Sequence, residues 1–555
     1  MSVAEFATLV RGLAATASSS QRASLLEAHL RAADDLSAAW AFWFLLGHRI
    51  PRTVPVRLLR EWVAERAEVS PELVASCHDH VGDLAETLSL LLPDLPEESS
   101  DVALAELVEA GVSGLAGSSR EQQQRILASW WQRLDRDGAF LHLKLVTGGF
   151  RIGVARGIAL RSAAAAIGVE ASVLEDRVCG GFTPTAAAWR ALREPPNPDE
   201  VAAQPRPFQL AGGLGIADPD LERADAPLFG SDAVDLGSID EWLIEPKWDG
   251  VRAQLLRRRE TRLASRGEGY LDRSFPEIVD AARGLPLGCV LDGEALLWSE
   301  DRPAPFTALQ RRLGVRRHQP GLFDAVHAVF FAFDLLEIDG SDVRNAPLSE
   351  RRSRLETLLA SARPDVIRLS PRLRFDTWEA ADAARRSARD RGVEGLMLKR
   401  LDRPYEGGRG RGSWWKWKAD PRTIDAVVVQ AQSGHGRRAG LLSDYTLAVR
   451  HQGALVPVAK AYSGLSDAEI VAIDRILKGS VIDRRGPLRV VEPQVVLEIA
   501  FDRVQRSARH RSGVAVRFPR ILRWRRDKTP EEADCLESLR SMLEPDESGG
   551  AVPRS

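Results

Sequence analysis

Lysine and cysteine are scarce in this chain, and net charge is almost absent. Of 76 basic residues among 555, only eight are lysines: Lys144, Lys247, Lys399, Lys416, Lys418, Lys460, Lys478 and Lys528. A sequence so committed to arginine should keep lysine mainly where a primary amine is needed, because a guanidinium stays protonated and cannot become a nucleophile. Four scattered cysteines, Cys77, Cys179, Cys289 and Cys535, offer neither the short spacing of a zinc module nor a disulfide framework, which points to a reducing, intracellular compartment. With a net charge of −2, no global positive field marks a polyanionic partner, and any nucleic-acid contact must come from local patches. Long apolar runs are missing too. The longest, Ala38 to Gly47, is about half of a membrane span and reads as a buried helix. The first residues lack the basic and apolar regions of a signal peptide.

What is present describes a multidomain globular protein: 28% charged and 44% hydrophobic residues, in a chain too long for one core of about 250–300 residues. Residues 1–205 are rich in Ala, Leu and Glu with helical spacing (Phe6, Leu9, Leu13; Leu104, Leu107, Val108), and Pro93, Pro96 and Ser99-Ser100 punctuate the helices. They carry 26 acids against 19 bases, so any DNA contact there must be a narrow patch; Lys144 to Gly153 reads as a glycine-containing basic loop suited to a phosphate. A proline-rich linker spans 194–207. Short apolar or alternating runs follow, mixed with helices at Leu355–Ala360 and Thr377–Ala388, predicting an α+β domain over 206–420. Alternating segments from Asp425 to Ile499, separated by glycine-rich turns, predict a small barrel over 421–543. The tail, 544–555, is expected to be disordered.

The chemistry-bearing series begins at Glu245-Pro246-Lys247-Trp248-Asp249-Gly250-Val251-Arg252. Asp-Gly is a turn signal, which predicts a hairpin aiming the Lys247 amine and the Arg252 guanidinium at one spot. Burial beside other cations would lower the lysine pKa towards reactivity. Ser265-Arg266-Gly267 follows the second strand. Asp292-Gly293-Glu294 places a carboxylate after a buried strand, and Phe333-Asp334 ends an apolar one. Glu394-Gly395-Leu396-Met397-Leu398-Lys399 supplies another carboxylate. In Trp414-Trp415-Lys416-Trp417-Lys418, strand alternation points both lysines one way. Taken singly, each motif has a plain alternative. Phe333 could be core packing, Glu294 and Glu394 solvated strand ends, and Lys247 part of a surface turn.

In their order and spacing these motifs resemble those of the covalent nucleotidyltransferases, most closely the ATP-dependent DNA ligases. The resemblance implies that Lys247 attacks the α-phosphate of ATP, the co-substrate, and carries AMP as a phosphoramidate. It further implies that Glu245 reads adenine, Phe333 stacks on it, and Arg252 and Arg266 bind ribose or phosphate. Glu294 becomes a ribose or metal contact, Glu394 a ligand for Mg²⁺ (or Mn²⁺), and Lys416 and Lys418 partners of the α-phosphate. An arginine before the Trp-Lys strand is also implied, with Arg409 and Arg411 both candidates. From Asp502 to Lys528 ten basic residues face two aspartates; this stretch resembles the family's last motif, with Arg517, Asp527 and Lys528 as nucleotide contacts. Gly149-Phe150-Arg151-Ile152-Gly153 resembles the minor-groove loop of the larger ligases, making Arg151 a DNA contact. The implied architecture is an all-α DNA-binding domain, an α+β nucleotidyltransferase domain and a C-terminal β-barrel of the oligonucleotide-binding (OB) fold. The implied partner is nicked double-stranded DNA; a monomer with no membrane contact is expected, and the Arg- and Ala-rich composition and sparse cysteines suggest a bacterial cytoplasm. An RNA-capping guanylyltransferase or RNA ligase would not need the long helical N-terminus, an NAD-dependent ligase should carry a cysteine zinc module, and a silent DNA-binding scaffold would not need to keep lysines at the motif positions.

Overall fold

The computed structural model describes residues 1–543 except 17, 82, 151, 195–203, 215–235, 268, 300, 315–325, 361–364, 410–411, 435–437, 439, 486–487 and 508–509. Most of the predicted linker and the whole predicted tail therefore lie outside the described residues. The chain forms two compact units. One comprises residues 1–49, 101–109 and 151–419, the other 50–100, 110–150 and 420–555.

In the first unit, the N-terminal segments are helical. Ser2 caps Val3–Ala15 in a reciprocal box with Glu5, and Asp34 caps Asp35–Leu45, satisfying amides left open at the helix starts. The apolar run is indeed a buried helix: Ala38, Ala39, Ala41 and Phe42 are fully enclosed, and the Phe42 ring meets Phe182 and Trp189 edge-on at 5.2 and 5.4 Å. Further helices span Arg156–Ile167, Ala171–Val178 and Ala186–Ala191.

The remainder of this unit carries two main sheets. One orders its strands Ile367–Leu369, His327–Ile338, Cys289–Ser299, Val251–Arg257, Thr261–Ser265. One of its faces packs Leu255, Leu291, Phe330 and Leu335 into a core with Ile278 and Leu355, which lie on helices Pro276–Ala282 and Leu348–Leu359. The other face contributes Leu256, Phe333 and Leu336 to a cluster with Tyr405 and Trp414. The second sheet orders Gly212–Gly213, Trp414–Lys418, Gly395–Arg400, Trp242–Lys247. Alternation along its strands divides the residues: Ile244, Leu396, Leu398 and Trp417 enter one core, while Glu245, Lys247, Met397, Lys399, Trp414, Lys416 and Lys418 line a cavity.

Three local expectations are corrected. Trp242–Lys247 and Val251–Arg257 flank the Asp249-Gly250 turn but are not a hairpin; each pairs in a different sheet, so the chain crosses from one sheet to the other at the turn. Glu294 and Phe333 sit within strands rather than after or at the end of them, because Cys289–Ser299 and His327–Ile338 run on as a long pair. Lys144 to Val146 is the last turn of helix Arg136–Val146 rather than loop, and Lys144 is ion-paired with Asp83.

In the second unit, helices Val56–Arg66, Pro71–Val81, Leu84–Leu91, Arg120–Trp131 and Arg136–Val146 precede a curled sheet. Its long strand Arg422–Ser433 pairs with Val496–Phe501 near its start and with Leu488–Val491 near its end, and with Leu442–His451 on its other edge. Helix Asp467–Gly479, which the alternation did not predict, buries Ile470, Ile473 and Leu477 in the sheet's core.

Candidate active site

The cavity of the first unit is built where the two sheets meet. Strand register sets its floor: Glu245 lies opposite Met397, which lies opposite Lys416, and Lys247 opposite Gly395, opposite Lys418. Two glycines permit this closeness. A Cβ on Gly395, whose φ is +147°, would fall 2.3 Å from the Trp417 carbonyl oxygen, and one on Gly250 would fall 2.6 Å from that of Ala295. Trp248 anchors the turn between them. Its indole stacks on Phe331 at 4.3 Å and donates to Ser370 Oγ at 3.3 Å, holding the neighbouring Lys247 at the strand end.

Lys247 Nζ donates to Glu394 Oε2 at 2.5 Å, and Lys418 Nζ lies 3.9 Å from the same oxygen. The expectation of a depressed lysine pKa fails here. Burial lowers it, but the combined field of Glu394, Glu294 and Asp249 outweighs burial and raises it above the ordinary value. Of the cations expected around Lys247, Lys418 shares the Glu394 carboxylate with it. Glu394 in turn is brought down to about 2: burial raises it, and Lys247 and Lys418 more than reverse that. Glu294 goes the other way, up to about 7, because burial outweighs the pull of Lys247 and Arg252. Among the described residues none donates a hydrogen bond to it.

Arg252 is fixed from several directions. It forms a bidentate pair with buried Asp292 at 3.2 and 2.7 Å, donates to the Gln209 carbonyl oxygen at 2.5 Å, and lies 5.3–5.4 Å from the Phe208, Phe333 and Trp414 rings. The Tyr405 hydroxyl donates to Asp292 at 2.6 Å. Glu245 is buried between Arg352 and Lys399. The structure thus brings Glu245, Lys247, Arg252, Arg266, Glu294, Phe333, Glu394, Lys416 and Lys418 onto one cavity. Arg266 sits just past strand Thr261–Ser265, its amide donating to the Arg252 carbonyl oxygen at 3.1 Å.

Arg517, Asp527 and Lys528 belong to the second unit, where Asp527 pairs with Arg525, and Arg525 and Lys528 share Asp425 at 2.8 and 2.6 Å. Arg151 and Arg411 lie outside the described residues, as does the side chain of Arg409. Sequence reading missed Asp292 as the partner of Arg252, and Tyr405, Arg352 and Lys399 as supports. Lys399 carried one usable signal, being one of eight lysines; Arg352 and Tyr405 carried none.

Three families match successive stretches of the chain: DNA ligase N terminus over residues 2–164, ATP dependent DNA ligase domain over 232–418, and ATP dependent DNA ligase C terminal region over 438–528. A probable DNA ligase of Koribacter versatilis is 32% identical over 95% of this chain and 94% of its own. DNA ligase 1 of Korarchaeum cryptofilum is 31% identical over 98% of both. A solved structure titled Pmar-Lig_PreS3 shares the fold at a TM-score of 0.55, with 17% identity, 94% of this chain and 99% of that one covered. The chain belongs to the ATP-dependent DNA ligase family, enzymes whose general activity is to seal nicks in DNA. It has that family's three-domain architecture, in which an N-terminal region precedes a nucleotidyltransferase domain and a C-terminal domain.

Proposed function

We propose that the chain seals 5′-phosphate/3′-hydroxyl nicks in duplex DNA through AMP carried on Lys247. The observation that supports this most is a lysine amine at a strand end, in a cavity where Arg252, Lys416, Lys418 and two carboxylates converge. Three transfers follow. The Nζ of Lys247 attacks the α-phosphorus of ATP, forming a P–N bond as the bond to pyrophosphate breaks. AMP then passes to the 5′-phosphate of the nick, freeing the lysine. Last, the 3′-hydroxyl attacks that phosphate, forming the phosphodiester as AMP leaves.

In the first step the chain's residues position and neutralise. Lys247 must shed a proton before it attacks, and because its ion pair with Glu394 Oε2 holds that proton on the amine, the pair must open first. Phe333 and Glu245 receive the base, Arg252 and Arg266 the ribose or phosphate, and Lys416 and Lys418 the charge growing on the α-phosphate. A divalent ion, Mg²⁺ or Mn²⁺, fits this cavity, where the half-buried Glu294 carboxylate has no hydrogen-bond donor among the described residues. Glu294 and Glu394 would hold it; no group of three ligating side chains exists among the described residues. When bound, it neutralises charge on the phosphates.

We assign 1–205 to DNA binding, with Arg151 on the duplex backbone, 206–420 to nucleotidyl transfer and 421–543 to an OB barrel. Arg517, Asp527 and Lys528 of the barrel orient the pyrophosphate, and Arg409 or Arg411 meets the nucleotide. We further propose a monomer in the cytoplasm; Cys77, Cys179, Cys289 and Cys535 form no disulfide with one another. Incubation with α-labelled ATP and a divalent ion, followed by denaturing electrophoresis, should give a labelled band that nicked duplex DNA chases. Lys247→Ala should abolish that band; label retained on the variant would sink the assignment.

A further inference from the structure

One edge of the cavity holds an ionic cluster that phosphate chemistry does not explain. Glu245 is 1% exposed. Arg352 Nη1 donates to its Oε1 at 2.7 Å, and Lys399 Nζ lies 2.6 Å from its Oε2. Both cations are themselves fixed. Arg352 donates to the Ser370 carbonyl oxygen at 2.6 Å and to Glu356 at 2.9 Å, while Lys399, 1% exposed, lies 3.8 Å from the centroid of Phe333 and 4.4 Å from that of Trp414.

Burying three charges costs more than burying apolar residues of the same size, so such a cluster is weak evidence of a stabilising role alone. Its position suggests another use. Glu245, Phe333, Met397 and Lys399 all line the cavity. A carboxylate only accepts hydrogen bonds, whereas an amide of the same size both donates and accepts. Arg352 Nη1 and Lys399 Nζ, one at each oxygen, fix the Glu245 carboxylate at the cavity wall.

We infer that Arg352 and Lys399 are specificity-determining positioning residues, which hold Glu245 as an acceptor-only carboxylate and so select a 6-aminopurine nucleotide over a 6-oxopurine one. This rests on the reading of the cavity as the ATP site. In a common pose, the exocyclic amine donates N–H to the carboxylate, whereas an oxo group turns a lone pair towards a negative charge. Sites built to hydrogen-bond one group reject its counterpart far more strongly than apolar pockets do.

The test uses the full chain, freed of bound AMP, with α-labelled ATP or GTP. Initial rates of enzyme labelling over nucleotide concentration give kcat/KM for each. Arg352→Met and Lys399→Met should lower the ATP-to-GTP ratio of kcat/KM by about tenfold or more, with the loss mainly in KM for ATP. Arg352→Lys should keep most of the ratio. Glu245→Gln, whose amide both donates and accepts, should lose it without changing size, and so tests the idea even where a Met variant fails to fold. A cluster that merely supports the fold would slow both nucleotides in parallel; an unchanged ratio in Glu245→Gln or in a folded Met variant overturns the inference. Failure of the parent chain to label with either nucleotide would instead overturn the lysine-AMP reading, so the two failures are distinguishable.

Discussion

At the scale of the residue, the site is a set of charges balanced against one another more than a set of isolated reactive groups. Lys247 was legible from its Asp-Gly turn and from the rarity of lysine; its electrostatic state was not, because Glu394 arrives from 147 residues away. The same distance hid the supports of Arg252. Asp292 is 40 residues off and Tyr405 a further 113, and no spacing rule links them. Their arrangement has a consequence. Tyr405→Phe removes the hydroxyl donating to Asp292 and leaves a buried carboxylate with one donor fewer, a loss of about 1–3 kcal/mol. Arg252 should then be held less firmly, and KM for ATP in enzyme labelling should rise several-fold with kcat falling less. Unaltered KM in a folded variant would show that Arg252 does not need the tyrosine.

At the scale of the element, alternation was the most readable signal. It placed Lys416 and Lys418 on one face of Trp414–Lys418, and the structure puts both on the cavity while Trp417 enters the opposite core. The Asp-Gly turn signal failed at Lys247 because local sequence reports a reversal of the chain but not which sheet each arm joins. Helices were read from apolar spacing, yet their polar contacts were not. His142 of Arg136–Val146 is fully buried, with Nε2 2.9 Å from the carbonyl oxygen of Gly111, which lies in the π-helical turn Leu107–Val112. Burial lowers the imidazole pKa from 6.5 to about 4, and the bond to Gly111 offsets only some of this. The native chain therefore keeps His142 neutral where the unfolded chain takes up a proton. Its stability is fully present above pH 6.5 and is lost as pH falls towards 4, by ~3 kcal/mol in all for this group. His142→Gln should flatten the fall in unfolding free energy between pH 7 and 5 relative to the parent; parallel curves would show that His142 does not carry it.

At the scale of the whole molecule, the domain order was legible because each third has its own texture: helical spacing, mixed runs, then alternation. The contents of each compact unit were not, since segments distant in sequence share one. With a net charge of −2, DNA must be held by local basic patches, and binding should be steeply salt-dependent. If about five phosphates are neutralised, log affinity for nicked duplex should fall with log salt at a slope of about −4 to −5. Arg151→Ala should weaken binding and reduce that slope by about one. An unchanged affinity and slope would remove Arg151 from the interface. The same titration, followed by sedimentation, checks one chain per nick.

The rarity of lysine and its graded burial give the protein a built-in chemical reporter. Lys399 is sealed at 1% exposure, Lys247 is open to 21% and Lys418 to 48%. An amine-acylating reagent, read out peptide by peptide, would thus meet a sealed, a half-buried and an open amine on one cavity. Nucleotide occupancy could be followed as a change in the acylation pattern at these three positions, against a background of only five other lysines.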